Sequence, residues 1–133
     1  MIPEHTKVVV VNDNPEFLEL MADVLRDERY PTTVIDGDRE DAVEAIRAAG
    51  PQLLIIDLRL GKDELHGWEV IQQVRTDPEL RELPTLICTG DKEGLALLDS
   101  DLSTMRRVAS LIKPFSIDEL MASLEQLLAT EPA

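Results

Sequence analysis

A single cysteine, Cys88, is present among the 133 residues, so an intramolecular disulfide is excluded. Its apolar neighbours Leu86 and Ile87 mark it as a buried strand thiol, which fits a reducing compartment. No apolar run approaches the roughly 18 residues of a membrane span. The start Met1-Ile2-Pro3-Glu4-His5 lacks both a basic region and a long apolar one, so export is not expected and a cytoplasmic location is. The two histidines, His5 near the terminus and His66 in a long loop, do not have metal-ligand spacing, and both are expected to be solvated. Positive charge is also scarce. Thirteen Lys and Arg face 27 Asp and Glu, a net charge of −14 that repels nucleic acid phosphates and anionic lipid heads, so neither direct DNA binding nor membrane binding is expected. Much of that acidity reads as a solvated exterior. With no internal repeat, low-complexity tract or linker, the length and 44% hydrophobic content suit one domain with its core over about 6–129 and no output domain.

What is present is an alternation of two patterns. Short β-branched or leucine-rich runs occur at Lys7–Val11, Thr32–Ile35, Leu53–Ile56, Thr85–Cys88 and Val108–Ile112, each the length of a buried strand. Between them lie segments with helical spacing. Phe17, Leu20, Met21, Val24 and Leu25 form a stripe after the N-cap candidate Asn14 and the N1 candidate Pro15. Ala42, Val43, Ile46 and Ala49 form a second, stopped by Gly50-Pro51, and Val70, Ile71 and Val74 a third. The span Lys92–Arg107 reads as one helix, weakened by Gly94 and by Asp99-Ser100-Asp101. The last helix opens with the capping-box pair Ser116 and Glu119, and Phe115 is placed to staple onto Leu120. Five strands alternating with five helices imply right-handed crossovers and a parallel sheet covered on both faces, the doubly wound α/β class. Ligands bind such sheets beyond the carboxyl ends of the strands.

The residues after the apolar runs are Asn12-Asp13-Asn14, Asp36, Asp57, Thr89 and Lys113. With strand order 2-1-3-4-5, Asp13 and Asp57 leave adjacent strands, and Thr89 and Lys113 follow on the same side. Each has an ordinary structural explanation as a cap, a strand residue or a surface lysine. Asp57 is the exception, because the next helical stripe begins only near Gly67 and capping does not account for it. Two carboxylates about 4 Å apart repel by about 4 kcal/mol at an effective dielectric near 20, so a cation is expected between them, and all-oxygen ligation favours magnesium or manganese. A carboxylate beside such a metal can attack phosphorus while Lys113 and the Thr89 hydroxyl neutralise the equatorial oxygens, which is phosphoryl-transfer chemistry.

Five segments in order, VVVVNDNPEFLELM, PQLLIIDLRL, GWEVIQQVR, PTLICTG and LIKPFS, resemble the receiver domain of two-component response regulators over nearly the whole chain. The resemblance implies a flavodoxin-like (βα)5 three-layer sandwich. It further implies that Asp57 accepts a phosphoryl group from a phosphohistidine and that Asp13, Asp57 and the Arg59 carbonyl hold magnesium, with Asn12 acting through water. Thr89, Lys113 and the Gly90 N–H would contact the phosphoryl oxygens, and the Lys113-Pro114 peptide would be cis.

The chain departs from the family pattern in several places. Asn12 stands where the first of an acidic pair is usual. The lost attraction between a divalent ion and one charge about 5 Å away, at an effective dielectric of about 40, is about 3 kcal/mol before rearrangement, so weaker magnesium binding is expected. Ser110 replaces the aromatic usual three residues before the lysine, which removes the ring rotation by which the family signals. The loop RLGKDELHG after Asp57 is longer than usual, and Arg59 and Asp91 are expected to pair as a lid that slows dephosphorylation. Trp68, beside that loop, is expected to pack.

The expected function is therefore a single-domain response regulator, phosphorylated on Asp57 by a histidine kinase or histidine phosphotransfer protein and signalling to a separate protein target, with monomer and homodimer both open. No separate substrate turnover is expected. The alternative is a phosphorylation-independent interaction module, which Asn12 and Ser110 favour. A haloacid-dehalogenase-type phosphatase is disfavoured because Arg59 stands where a second aspartate is needed. A flavodoxin-like electron carrier is disfavoured because an acidic-amide run follows the first strand.

Overall fold

A computed structural model describes residues 6–58 and 66–129. In chain order they form β1 (Val8–Asn12), α1 (Pro15–Asp27), β2 (Thr32–Asp36), α2 (Ala42–Ala49), β3 (Leu53–Ile56), α3 (His66–Thr76), β4 (Thr85–Thr89), α4 (Lys92–Leu97), α5 (Asp99–Ser103), β5 (Val108–Ile112) and α6 (Ile117–Ala129). The five strands make one parallel sheet in the order β2-β1-β3-β4-β5, as expected for a doubly wound flavodoxin-like sandwich.

Strand alternation sends successive side chains into two separate cores. Val9, Val11, Leu54, Ile56 and Ile87 meet Ile46 of α2 and Trp68, Ile71 and Val74 of α3 on one face. Val8, Val10, Leu53, Ile55, Leu86 and Cys88 meet Leu25 of α1 and Leu120 and Leu124 of α6 on the other. Strands buried on both faces must be apolar throughout, which explains the uninterrupted runs VVVV and LLII. Each fully buried Leu, Ile or Val contributes about 1.5–3 kcal/mol.

Local signals set most helix starts. Asn14 Oδ1 accepts from the backbone N–H groups of Glu16 (2.9 Å) and Phe17 (3.3 Å), with Pro15 at the first helical position. The Ser116–Glu119 capping box is reciprocal, at 3.0 and 3.1 Å. Gly50 ends α2 in the left-handed region at φ 61°, which glycine adopts without strain.

Three sequence expectations need correction. The inward face of α1 is Leu18, Met21, Ala22 and Leu25, with Phe17 and Val24 half-buried and Leu20 59% exposed. The small Ala22 is buried and Leu20 turns outward. The segment after β4 is two short helices, broken at Leu98 (φ −98°, ψ 4°), where the Asp99-Ser100-Asp101 cluster supplies polar groups that compete with helical hydrogen bonds. His66 opens α3 half-buried, its Nδ1 3.5 Å from Glu69 Oε2, and is not a solvated loop residue. Trp68 packs as expected, 9% exposed within the core.

Candidate phosphoryl-transfer site

The parallel register sets the stage. Val11 pairs with Ile56, so Asn12 and Asp57 reach the same level at the carboxyl end of the sheet, with Asp13 one residue further along. Thr89 pairs with Ile112, and the Lys113 N–H donates to the Thr89 carbonyl at 2.9 Å, which fixes the start of the Lys113 side chain beside the end of β4. From there Lys113 Nζ reaches Asp57 Oδ2 at 2.8 Å. The two side chains are 28% and 12% exposed, so the charge-assisted bond is shielded from bulk water on most sides. Lys113 Nζ also stands 4.2 Å from the Phe17 ring centroid, a cation–π contact that holds the ammonium from the α1 side. The Lys113-Pro114 peptide is cis.

Asp57, Thr89, Gly90 and Asp91 line a cleft of about 360 Å³. Thr89 is buried at 1% exposure, and its Oγ1 accepts from the Asp91 N–H at 3.1 Å. Gly90 is exposed, and nothing lies within 4 Å of the place a Cβ would take. Asn12 is 2% exposed, and its Oδ1 accepts from the Asn14 N–H at 2.9 Å. That bond directs the carbonyl side of the amide into the β1–α1 turn.

Asp13 is exposed at the start of this turn, past the end of β1, and Asp57 stands past the end of the neighbouring β3. The third expected metal ligand, the Arg59 carbonyl, lies outside the described residues, as does the Arg59 half of the expected lid pair with Asp91. Among the described residues no group of three His, Cys, Asp or Glu could hold a metal ion. Two carboxylates at neighbouring strand ends are hard oxygen donors and suit magnesium in a site completed by water and a backbone carbonyl.

Sequence reasoning did not single out the role of Gly67. A Cβ there would stand 1.8 Å from the Asp57 carbonyl oxygen, so only glycine lets α3 begin against the Asp57 backbone. The Gly67 N–H donates to the Leu58 carbonyl at 2.9 Å, which ties that helix start to the strand end. Its one sequence signal was a glycine next to Trp68 at the helix start. Cys88, the lone thiol, is 1% exposed, and burial pushes its pKa up to about 12. It is packing material and not a nucleophile.

The response regulator receiver domain model matches residues 8–125. The chain belongs to the response regulator receiver family. It is 30% identical over 129 residues to hybrid signal transduction histidine kinase D of Dictyostelium discoideum, covering 95% of this chain and 8% of that protein. It is also 30% identical over 116 residues to the DNA-binding response regulator MtrA of Mycolicibacterium smegmatis, covering 87% and 47%. The chain thus spans at most about half the length of these two curated relatives. Among solved structures, the receiver domain of a sensor histidine kinase from Pseudomonas aeruginosa, with magnesium coordinated in its active-site cleft, has a TM-score of 0.76 at 22% identity over 95% of this chain and 99% of that one. At that identity the likeness concerns the fold. As a receiver domain, the chain is a module of two-component signal transduction. No described helix is long and apolar enough to cross a membrane.

Proposed function

We propose that the chain is a response regulator receiver whose Asp57 accepts a phosphoryl group from the phosphohistidine of a histidine kinase or phosphotransfer protein. The observation that carries this reading is the buried Asp57 carboxylate held at 2.8 Å by Lys113 in a cleft shared with Thr89 and Gly90. In the transfer, an Asp57 carboxylate oxygen forms a bond to phosphorus. The P–N bond to imidazole breaks, and the electron pair leaves on the ring nitrogen. Lys113, the Thr89 hydroxyl and the Gly90 N–H are the donors at hand for the charge on the three remaining phosphoryl oxygens.

Asp13, Asp57 and the Arg59 carbonyl would hold magnesium, with Asn12 contributing through water. The ion supplies charge neutralisation at the phosphoryl oxygens. The Pseudomonas receiver domain with magnesium in its cleft supports magnesium as the metal. Output runs through contacts with a separate protein, and no turnover of a further substrate is proposed. Absence of a membrane-crossing helix among the described residues is compatible with a cytoplasmic location.

The test is transfer of label from a radiolabelled phosphohistidine kinase in magnesium buffer. Label should move to the wild-type chain and not to Asp57→Ala. Equal labelling of both proteins would place the acceptor elsewhere. No labelling by any kinase offered would favour the phosphorylation-independent interaction module.

A further inference from the structure

Resting on the reading of Asp57 as phosphoacceptor, we propose that Phe17 is a positioning residue for phosphoryl transfer: its ring face holds the Lys113 ammonium within reach of the transferred group, and the electron density of that face speeds the step. Lys113 Nζ touches two groups, Asp57 Oδ2 at 2.8 Å and the Phe17 ring, whose centroid is 4.2 Å away. A lysine stem is long and flexible, so each contact that orders it ahead of the reaction matters. The ring is itself held. Phe17 sits in the first turn of α1, where its N–H donates to Asn14 Oδ1 at 3.3 Å, while the Asn14 N–H donates to Asn12 Oδ1 at 2.9 Å. The turn that presents Asp13 to the site therefore also fixes the ring. Phe17 and Lys113 together line an apolar groove of about 340 Å³ with Met21, Val24, Phe115 and Leu120, and these neighbours confine the half-buried ring.

The contact with the ring counts for more during transfer than before it. While Asp57 is unmodified, the ion pair already keeps Lys113 in place. With acetyl phosphate as donor, an Asp57 oxygen forms a bond to phosphorus, the P–O bond to acetate breaks, and the electron pair leaves on the acetate oxygen. The Asp57 carboxylate gives up its charge as that bond forms, and the negative charge to be met then lies on the phosphoryl oxygens. The ammonium has to turn from Oδ2 toward those oxygens. A hydrogen bond is directional and is lost in the turn, whereas attraction to the quadrupole extends over the ring face. Phe17 thus keeps the ammonium near and partly shielded from water while its first partner weakens. An interaction that gains weight in the transition state is the kind that raises a rate. An aliphatic side chain at position 17 fills the same groove and offers no such face.

Time courses of intact mass with acetyl phosphate and magnesium test this on the full chain, beside urea unfolding of the same proteins. Phe17→Leu should take up the phosphoryl group about fivefold more slowly than the wild type. Mono-, di- and trifluorinated phenylalanine at position 17 keep the ring and its packing while withdrawing electron density from its face in steps. The uptake rate should fall with each added fluorine, the trifluorinated ring approaching the rate of Phe17→Leu, while urea midpoints of the fluorinated proteins stay at the wild-type value. One rate across the fluorinated series, or a rate that falls only in step with the urea midpoint, overturns the role of Phe17 and leaves Asp57 as the acceptor. Absence of a phosphoryl gain in the wild type, or an equal gain in Asp57→Ala, overturns the reading of Asp57 and the role of Phe17 with it.

Discussion

Lys113 Nζ lies 2.8 Å from Asp57 Oδ2, joining the end of β5 to the end of β3 across β4. The pair makes Lys113 a structural partner of the carboxylate as well as a candidate contact for the transferred group. Lys113→Met leaves a carboxylate only 12% exposed without its ammonium. Losing that charge-assisted bond destabilises the fold, and the remaining solvent access moderates the cost to about 1–3 kcal/mol. Urea unfolding should show the loss at neutral pH. A midpoint equal to that of the wild type would mean that the pair is solvent-screened and energetically idle.

Asn12 concerns the charge of the site. Asn12→Asp restores a carboxylate beside Asp13 and Asp57, and magnesium should bind about tenfold more tightly, a modest part of the gross attraction of about 3 kcal/mol. Trp68 follows Gly67, which touches the Asp57 backbone, so its fluorescence is a suitable readout of a magnesium titration. Equal or weaker binding in the variant would show that position 12 does not set the metal affinity.

Gly67→Ala tests a steric claim. A Cβ 1.8 Å from the Asp57 carbonyl oxygen meets backbone, not a flexible side chain, so α3 or the strand end must shift. The expected destabilisation is about 1–3 kcal/mol, the range for overpacking, against the small gain that alanine brings to a helix. Thermal or urea unfolding checks it, and a stabilised variant would contradict the close approach.

The strands and the strand-end residues were legible because buried parallel strands must be apolar along their whole length, so the first polar residue after each run marks the ligand-binding edge, whereas the order of the strands was assumed with the fold class. Capping residues Asn14 and Ser116 were legible for the same local reason: their side chains bond to amides two or three residues away. Three-dimensional approaches were not. The Phe17 stripe position did not disclose that its ring faces Lys113. The requirement for glycine at position 67 arises from a backbone ten residues earlier in sequence. The break at Leu98 is a competition among weak helix signals that sequence pattern alone left as one segment.

Arg47 of α2 forms a hydrogen-bonded ion pair with Asp77 beyond α3, and this bond holds the Asp77 carboxyl below its ordinary value of 3.8. A carboxyl with a lowered folded-state pKa contributes stability above its unfolded value and loses it as pH falls through the lowered one. Asp77→Asn should therefore be less stable than the wild type at neutral pH. The difference should shrink below about pH 4 and vanish once the wild-type carboxyl is protonated. Denaturant midpoints across pH would show this, and a pH-independent difference would assign the effect to packing.

The central claim is that Asp57 is a phosphoacceptor, and intact mass after incubation with magnesium and acetyl phosphate tests it most directly. A gain of one phosphoryl group is expected in the wild type, lost when magnesium is chelated and absent from Asp57→Ala. No gain at saturating magnesium, or an equal gain in Asp57→Ala, would contradict it.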